Sequence, residues 1–286
     1  MKANQESEQI APTAIAHYGP RAMVSPSDDS PVQKANIPEA GSARSGKLAG
    51  KTAVVTGAGS GIGRAIAIAC GEQGATVSIV GRRKAALDET AAAISSVGGT
   101  ALTLVLDLSD DAAVSKLGQS VDDAFGGKLD LLVHSAAQNS LLSVEDTSVE
   151  LLDSVLDLNM RAPFLITRRL LPSLRRAPGD IVFVNSLVVA NPRAGVAVYA
   201  ASKAGLRAFA DSLRAEVNAA GVRVLSLFPG RTATPMQEEL MRHEEREYRP
   251  EVLLQPEDVA AAMLSAVTLP RTAELTELSI RPANKL

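Results

Sequence analysis

The chain has 286 residues, 46% of them hydrophobic, and a formal net charge of -3. That apolar content can fill one large core, and the small negative balance with no long basic run excludes the electrostatic footprint of a nucleic-acid or anionic-membrane binder. One cysteine, Cys70, and three scattered histidines, His17, His134 and His243, exclude a disulfide framework and leave no metal-ligand spacing, so no metal is expected.

Residues 1–47 are rich in Pro, Ser, Ala and Gly and show no sustained period of two or 3.6. They read as a disordered extension, with an arm docking on a neighbouring subunit as the alternative. The lack of a secretory apolar core argues against export, the acidic residues Glu6, Glu8, Asp28 and Asp29 argue against an organelle transit peptide, and no segment reaches about eighteen apolar residues. The expectation is a cytoplasmic protein whose partner is a small molecule, with no nucleic acid and no membrane. From Gly50 onward apolar runs alternate with amphipathic stretches. Thr52 to Thr56 reads as a buried strand and Ile62 to Gln73 as a helix, with Cys70 as a core residue of its I-A-I-A-C run. Strand Thr76 to Val80 and helix Lys84 to Val97 follow, then strand Ala101 to Leu106 and helix Ala112 to Phe125. Leu129 to His134 is a fourth strand, with a long helical region over Val149 to Arg175. Ile181 to Asn185 is a fifth, followed by a helix containing Tyr199 to Ala219, and Val222 to Phe228 is a sixth. Met236 to Leu254 reads as a short helical lid whose charges form a solvated face. Strands apolar throughout belong in a parallel sheet covered on both faces, so the alternation predicts a single doubly wound α/β Rossmann domain over 48–286.

The turn after the first strand is Thr56-Gly57-Ala58-Gly59-Ser60-Gly61-Ile62-Gly63. Glycines at 57, 61 and 63 lack the Cβ atoms that block a tight turn and the approach of a pyrophosphate, and the helix start aims N–H groups at phosphate oxygens. Downstream, Tyr199 and Lys203 lie four apart in Y-A-A-S-K, on one helical face, with Ser186 thirteen residues before the tyrosine. A fixed cation beside a phenol is expected to make it more acidic than its free pKa of about 10, which suits proton exchange with an alcohol oxygen. The second strand ends in Val80-Gly81-Arg82-Arg83 without the carboxylate that binds the ribose hydroxyls of NAD, and two arginines suit a 2′-phosphate, so NADP(H) is favoured over NAD(H).

These motifs make the chain resemble the short-chain dehydrogenase/reductase family over about residues 50–286. The resemblance implies a nicotinamide-dependent oxidoreductase with Tyr199 as acid and base, Lys203 on the nicotinamide ribose, Ser186 on the substrate oxygen, and Asn159 supporting a water chain from the lysine. It also implies cofactor contacts from Gly57, Ser60, Gly61, Ile62, Gly63, Asp107 and Leu108 at the adenine, Ala136, and Pro229-Gly230 beside the nicotinamide. Thr232 or Thr234 would bond the carboxamide, with Thr234 the better spaced. His134-Ser135-Ala136-Ala137 departs from the usual Asn-Asn-Ala-Gly; His134 is read as structural, and its ring or the Ser135 hydroxyl is expected to tie neighbouring strands. Arg193 and Arg231 either pair a substrate carboxylate or face solvent, the latter favoured. The expected reaction is hydride exchange with a small carbonyl or secondary alcohol. A 3-oxoacyl-thioester reductase, a non-catalytic NADP(H)-sensing regulator and a sugar-nucleotide epimerase are the alternatives. The carboxy-terminal Thr276 to Pro282 is similar to members acting on 3-hydroxy acids, and the family resemblance implies a homo-oligomer, a dimer or tetramer.

Overall fold

The computed structural model describes residues 46–283, so the expectation for 1–47 lies outside the described residues except at its last two positions. The strands are β1 (Thr52–Thr56), β2 (Thr76–Gly81), β3 (Thr100–Val105), β4 (Leu131–His134), β5 (Asp180–Val184), β6 (Arg223–Pro229) and β7 (Glu277–Ile280). All pair in parallel in the order β3-β2-β1-β4-β5-β6-β7. After β3 the chain crosses to the other side of β1, so the carboxyl ends of β1 and β4 diverge from each other there. In open α/β sheets that switch point is where ligands bind.

Helices α1 (Gly61–Glu72), α2 (Lys84–Ser96), α3 (Asp111–Phe125), α4 (Val149–Leu156), α5 (Ala162–Arg176), α6 (Ala197–Val217), α7 (Pro235–His243) and α8 (Pro256–Val267) complete the described residues, with short 3₁₀ turns between some elements. Successive strand residues point to opposite faces, which divides the core in two. Val55, Val77, Ile79 and Val182 pack with Ile66 of α1, Leu87 and Ile94 of α2 and Met263 of α8. Val54, Val80, Leu132, Ile181 and Phe183 pack with Leu117 of α3, Ile166 and Leu170 of α5 and Leu206 of α6. Both faces of the sheet are therefore covered, as largely apolar strands require.

The long helical region expected from Val149 onward is present but interrupted. A π turn over Asp157–Arg161 joins α4 to α5, and it encloses Asn159 completely. Such single π turns are frequent at functional sites. Two elements were not anticipated, α8 and β7. The edge strand β7 alternates exposed and half-buried residues, and it extends the sheet beyond β6.

Candidate active site

The glycine turn holds the nucleotide end together by close backbone approach. Gly57 has φ +68, and a Cβ there would meet the backbone nitrogen of Ala136 at 2.7 Å, while one at Gly63 would meet the Gly57 carbonyl oxygen at 2.4 Å. Only glycine lets α1 begin directly against the ends of β1 and β4. The first turn of α1 carries no acidic residue, and its Ser60 N-cap makes no side-chain capping bond, so the helix end keeps donors and positive potential for an anion. Beside it is a cavity of about 240 Å³ lined by Gly57, Ser60, Gly61, Ile62, Gly63, Arg82, Asp107, Leu108, Ala136, Tyr199, Lys203 and Thr234 among others. Arg82 and Arg83 also line a smaller pocket with Gly59 and Ser60. Asp107 accepts from Ser109 N and Oγ with Oδ1, at 3.1 and 2.8 Å, and its Oδ2 lies 3.9 Å from Arg82 Nη1. It is a strand-end cap and a cavity wall at once.

The chemical groups are set by α6, whose first turn carries Tyr199 and whose second carries buried Lys203. Tyr199 stands in the wall shared by the first cavity and a second of about 420 Å³, which Ile62, Asn185, Thr234 and Met236 also line on both sides. Burial pushes the Tyr199 phenol above 10.0, and a hydrogen bond with Ser186 opposes that rise. Lys203 Nζ donates to the Val184 carbonyl at 2.9 Å and lies 5.9 Å from the centre of the Tyr199 ring. In this structure the ammonium is directed at β5, and desolvation is the larger influence on the phenol. The same burial brings Lys203 itself down to about 8. A phenol held protonated at neutral pH is the form that gives a proton to a carbonyl oxygen.

Asn159 does not bond its own helix. Its Oδ1 accepts from Gln138 N at 2.8 Å, and its Nδ2 donates to Gln138 O and Ser202 Oγ, both at 2.9 Å. Ser202 Oγ in turn donates to the Tyr199 carbonyl at 2.7 Å, so Asn159 clamps the segment after β4 to the first turn of α6.

The second cavity is closed by Pro229, Gly230, Thr232, Thr234, Gln237 and Leu240 on one side and by Ser186 to Val188 on another. Thr234 caps α7 by accepting from Gln237 N at 3.2 Å, and its Cγ2 lies 2.9 Å from where a Gly61 Cβ would stand. Thr232 is turned to the Gly230 carbonyl at 3.0 Å and lines only the second cavity. Of the two threonines, Thr234 is thus the one that meets the glycine turn and both cavities.

Residues 51–245 match the family model described as short chain dehydrogenase. The chain belongs to the short-chain dehydrogenase family. An uncharacterized oxidoreductase of Staphylococcus epidermidis is 33% identical over 237 residues, covering 82% of this chain and 99% of the relative. The structure is also similar to a metagenomic short-chain oxidoreductase in complex with NADP, at TM-score 0.73 and 30% identity over 84% of this chain and all of the other. A 3-ketoacyl-(acyl-carrier-protein) reductase from Brucella melitensis complexed with NADH matches at TM-score 0.72 and 29% identity, covering 82% and 97%. The protein is an oxidoreductase of this family.

Against the sequence expectations for a short-chain dehydrogenase, the structure keeps His134 structural and moves two assignments, the strand tie and the two arginines. His134 is buried, neutral and structural: its Nε2 meets Thr167 Oγ1 at 2.9 Å, its ring stacks on Phe183 at 4.8 Å, and burial, then the Lys203 charge, bring it down to about 3. The strand tie expected of His134 or Ser135 is made instead by Thr56, whose hydroxyl accepts from Ser135 N and Ala136 N at 3.0 and 3.2 Å and donates to Val133 O. Arg193 and Arg231 do not simply face solvent, because both pair with Glu244 of the lid. Sequence reasoning passed over Asn185 and Gln237, both buried and both in the second cavity's wall. An Asn adjacent to Ser186 was the available signal.

Proposed function

We propose that the protein exchanges a hydride between NADP(H) and a small carbonyl or secondary-alcohol compound, with Tyr199 as general acid and base. The observation that carries this reading is the place of Tyr199 in the wall common to two cavities, one shaped by the glycine turn and the other by the ends of β5 and β6. The residues fit a dinucleotide: free donors at the start of α1 for the pyrophosphate, Asp107 and Leu108 for the adenine, Lys203 for the nicotinamide ribose, and Thr234 for the carboxamide. Similar solved structures include four with NADP, NADPH or 5-hydroxy-NADP and one with NADH, and the preference for NADP is supported in this chain by Arg82 and Arg83 beside Ser60, with no carboxylate at the end of β2.

When bound, the cofactor supplies the hydride in reduction and accepts it in oxidation. Ser186 holds the substrate oxygen and Tyr199 gives it a proton, while in the reverse direction the phenolate takes the proton back. Asn159 positions Tyr199 through Ser202. The lid containing α7 excludes water from the reacting atoms. The likeness to a 3-ketoacyl reductase favours a 3-oxoacyl thioester as the second reading. The apolar side chains of Val149 and Phe164, exposed on α4 and α5, support a homo-oligomer, which sedimentation analysis would detect and a monomer would refute.

The test is NADPH oxidation by the purified protein over a panel of aldehydes, ketones and 3-oxoacyl thioesters. Turnover of at least one member is expected. NADPH binding with no turnover across the panel would instead establish the sensing regulator.

A further inference from the structure

The wall of the second cavity is one-sided in chemistry. Its charged residues are Arg193, Arg231 and Arg281, with no carboxylate among the lining side chains. The nearby Glu244 holds two of them: Arg231 Nη2 reaches both of its oxygens at 3.1 and 2.8 Å, and Arg193 Nη1 binds Oε1. One carboxylate against three guanidinium groups leaves a positive excess at the cavity.

The unpaired groups have the same bias. Arg231 spends Nη2 on Glu244, and its buried Nη1 has no hydrogen-bond partner. Asn185 is 3% exposed; its Oδ1 accepts from Ser186 N at 3.0 Å, which fixes the amide's orientation and leaves Nδ2 without a partner. Gln237 is 8% exposed and its Nε2 is likewise unpaired. Each buried donor left without an acceptor forfeits its hydration with nothing in return. All three lie on residues that line this cavity, and every buried unpaired polar atom on its lining residues is a nitrogen. A carboxylate is acceptor-only, with two oxygens able to take several donors at once, whereas a hydroxyl-rich or neutral ligand would bring donors of its own.

We infer that this cavity is a carboxylate subsite, and that the substrate is an oxo or hydroxy acid whose carboxylate is held by Arg231, Gln237 and Asn185 while its carbonyl meets Ser186 and Tyr199. The assignment rests on the proposed hydride exchange for its reacting end only. The carboxylate fixes the carbonyl by a second point of attachment, and binding energy gathered away from the reacting atoms orients them.

Two measurements test it. In the first, kcat/KM with NADPH is compared for 3-oxobutanoate and its methyl ester. The acid is expected to be preferred at least tenfold, and the preference to fall about tenfold in Arg231→Met; parity or preference for the ester in the unaltered protein overturns the subsite. In the second, malonate and dimethyl malonate are titrated calorimetrically with NADP+ present, where malonate binds, the diester does not, and Arg231→Met weakens malonate about tenfold. Absence of malonate binding, or tighter binding of inorganic phosphate than of malonate, overturns the carboxylate assignment. Malonate binding without turnover of either substrate would sustain the subsite and count against the reaction, and turnover without acid preference would do the reverse. If Arg231→Met does not fold, Gln237→Leu takes its place in both comparisons with the same expected direction.

Discussion

The two ends of the parallel sheet treat polar side chains in opposite ways. At the amino ends of the strands, Arg223 binds Asp180 through Nε and Nη2 at 2.6 and 3.1 Å and also reaches the Val267, Leu269 and Ala273 carbonyls. Arg271 adds a second guanidinium on Asp180, and Asp130 accepts from Thr52 N, Thr52 Oγ1 and Lys51 Nζ. At the carboxyl ends, Arg231, Asn185 and Gln237 each keep an unpaired buried nitrogen, and Lys203 is desolvated without a carboxylate beside it. Polar groups at the first end are consumed by the fold. Those at the second are left unpaired, and on the proposed reading they serve ligands, which is how a site can be preorganised at the expense of local stability.

Breaking the satisfied end should cost stability and spare chemistry. Arg223→Leu leaves Asp180 half-paired in a largely buried position and is expected to destabilise the protein by about 3–5 kcal/mol, read from the urea midpoint. Its kcat, measured well below the unfolding transition, should stay within about twofold; a large loss of kcat with unchanged stability would erase the distinction between the two ends.

His134 lies under the site end and links the comparison to pH. Its folded pKa of about 3 is depressed below the ordinary imidazole value of 6.5, so between these values the unfolded chain binds more protons than the folded one. Stability should therefore fall as pH drops from 6.5 toward 3, and His134→Asn should flatten that dependence. Equal slopes of melting temperature against pH in the two proteins would contradict the buried neutral ring. Lys203, also depressed, acts on the alkaline side: its contribution rises from about pH 8 to about 10.5, because burying the ammonium is penalised below that window.

The smallest effect sharpens the nucleotide end. Arg82→Ala should raise KM for NADPH about tenfold while leaving KM for NADH nearly unchanged, since only NADPH carries the 2′-phosphate. Equal losses for both cofactors would place Arg82 against Asp107 alone, the contact it makes at 3.9 Å.

Much of this organisation was legible in the sequence because it follows from local pattern. β1 through β6 are largely apolar, interrupted inside only by Ser78, Thr103 and Ser226, and the glycine turn is fixed by where a Cβ cannot fit. β7 escaped because an edge strand with one half-exposed face, Glu277 to Ile280, has no such run, and α8 because its face is largely small alanines. The pairing of Asn159 with Gln138 and Ser202 depends on a π turn that no periodicity announces. The direction of Lys203 and the freedom of Asn185 Nδ2 were equally hidden, since each depends on side-chain orientation: Lys203 turns from α6 to the Val184 carbonyl, and Asn185 Oδ1 is taken by the adjacent Ser186 amide. Residue identity gave the candidates, and packing assigned what each could still bind.

The central claim is that the phenol between the two cavities moves the proton, and Tyr199→Phe tests it with least ambiguity when NADPH affinity and turnover are measured on the same sample. The account predicts a dissociation constant within about threefold of the unaltered protein and a kcat reduced about 10²–10⁴-fold, the range that general acid–base groups supply. A Tyr199→Phe protein that binds NADPH and turns over at an undiminished rate would contradict it.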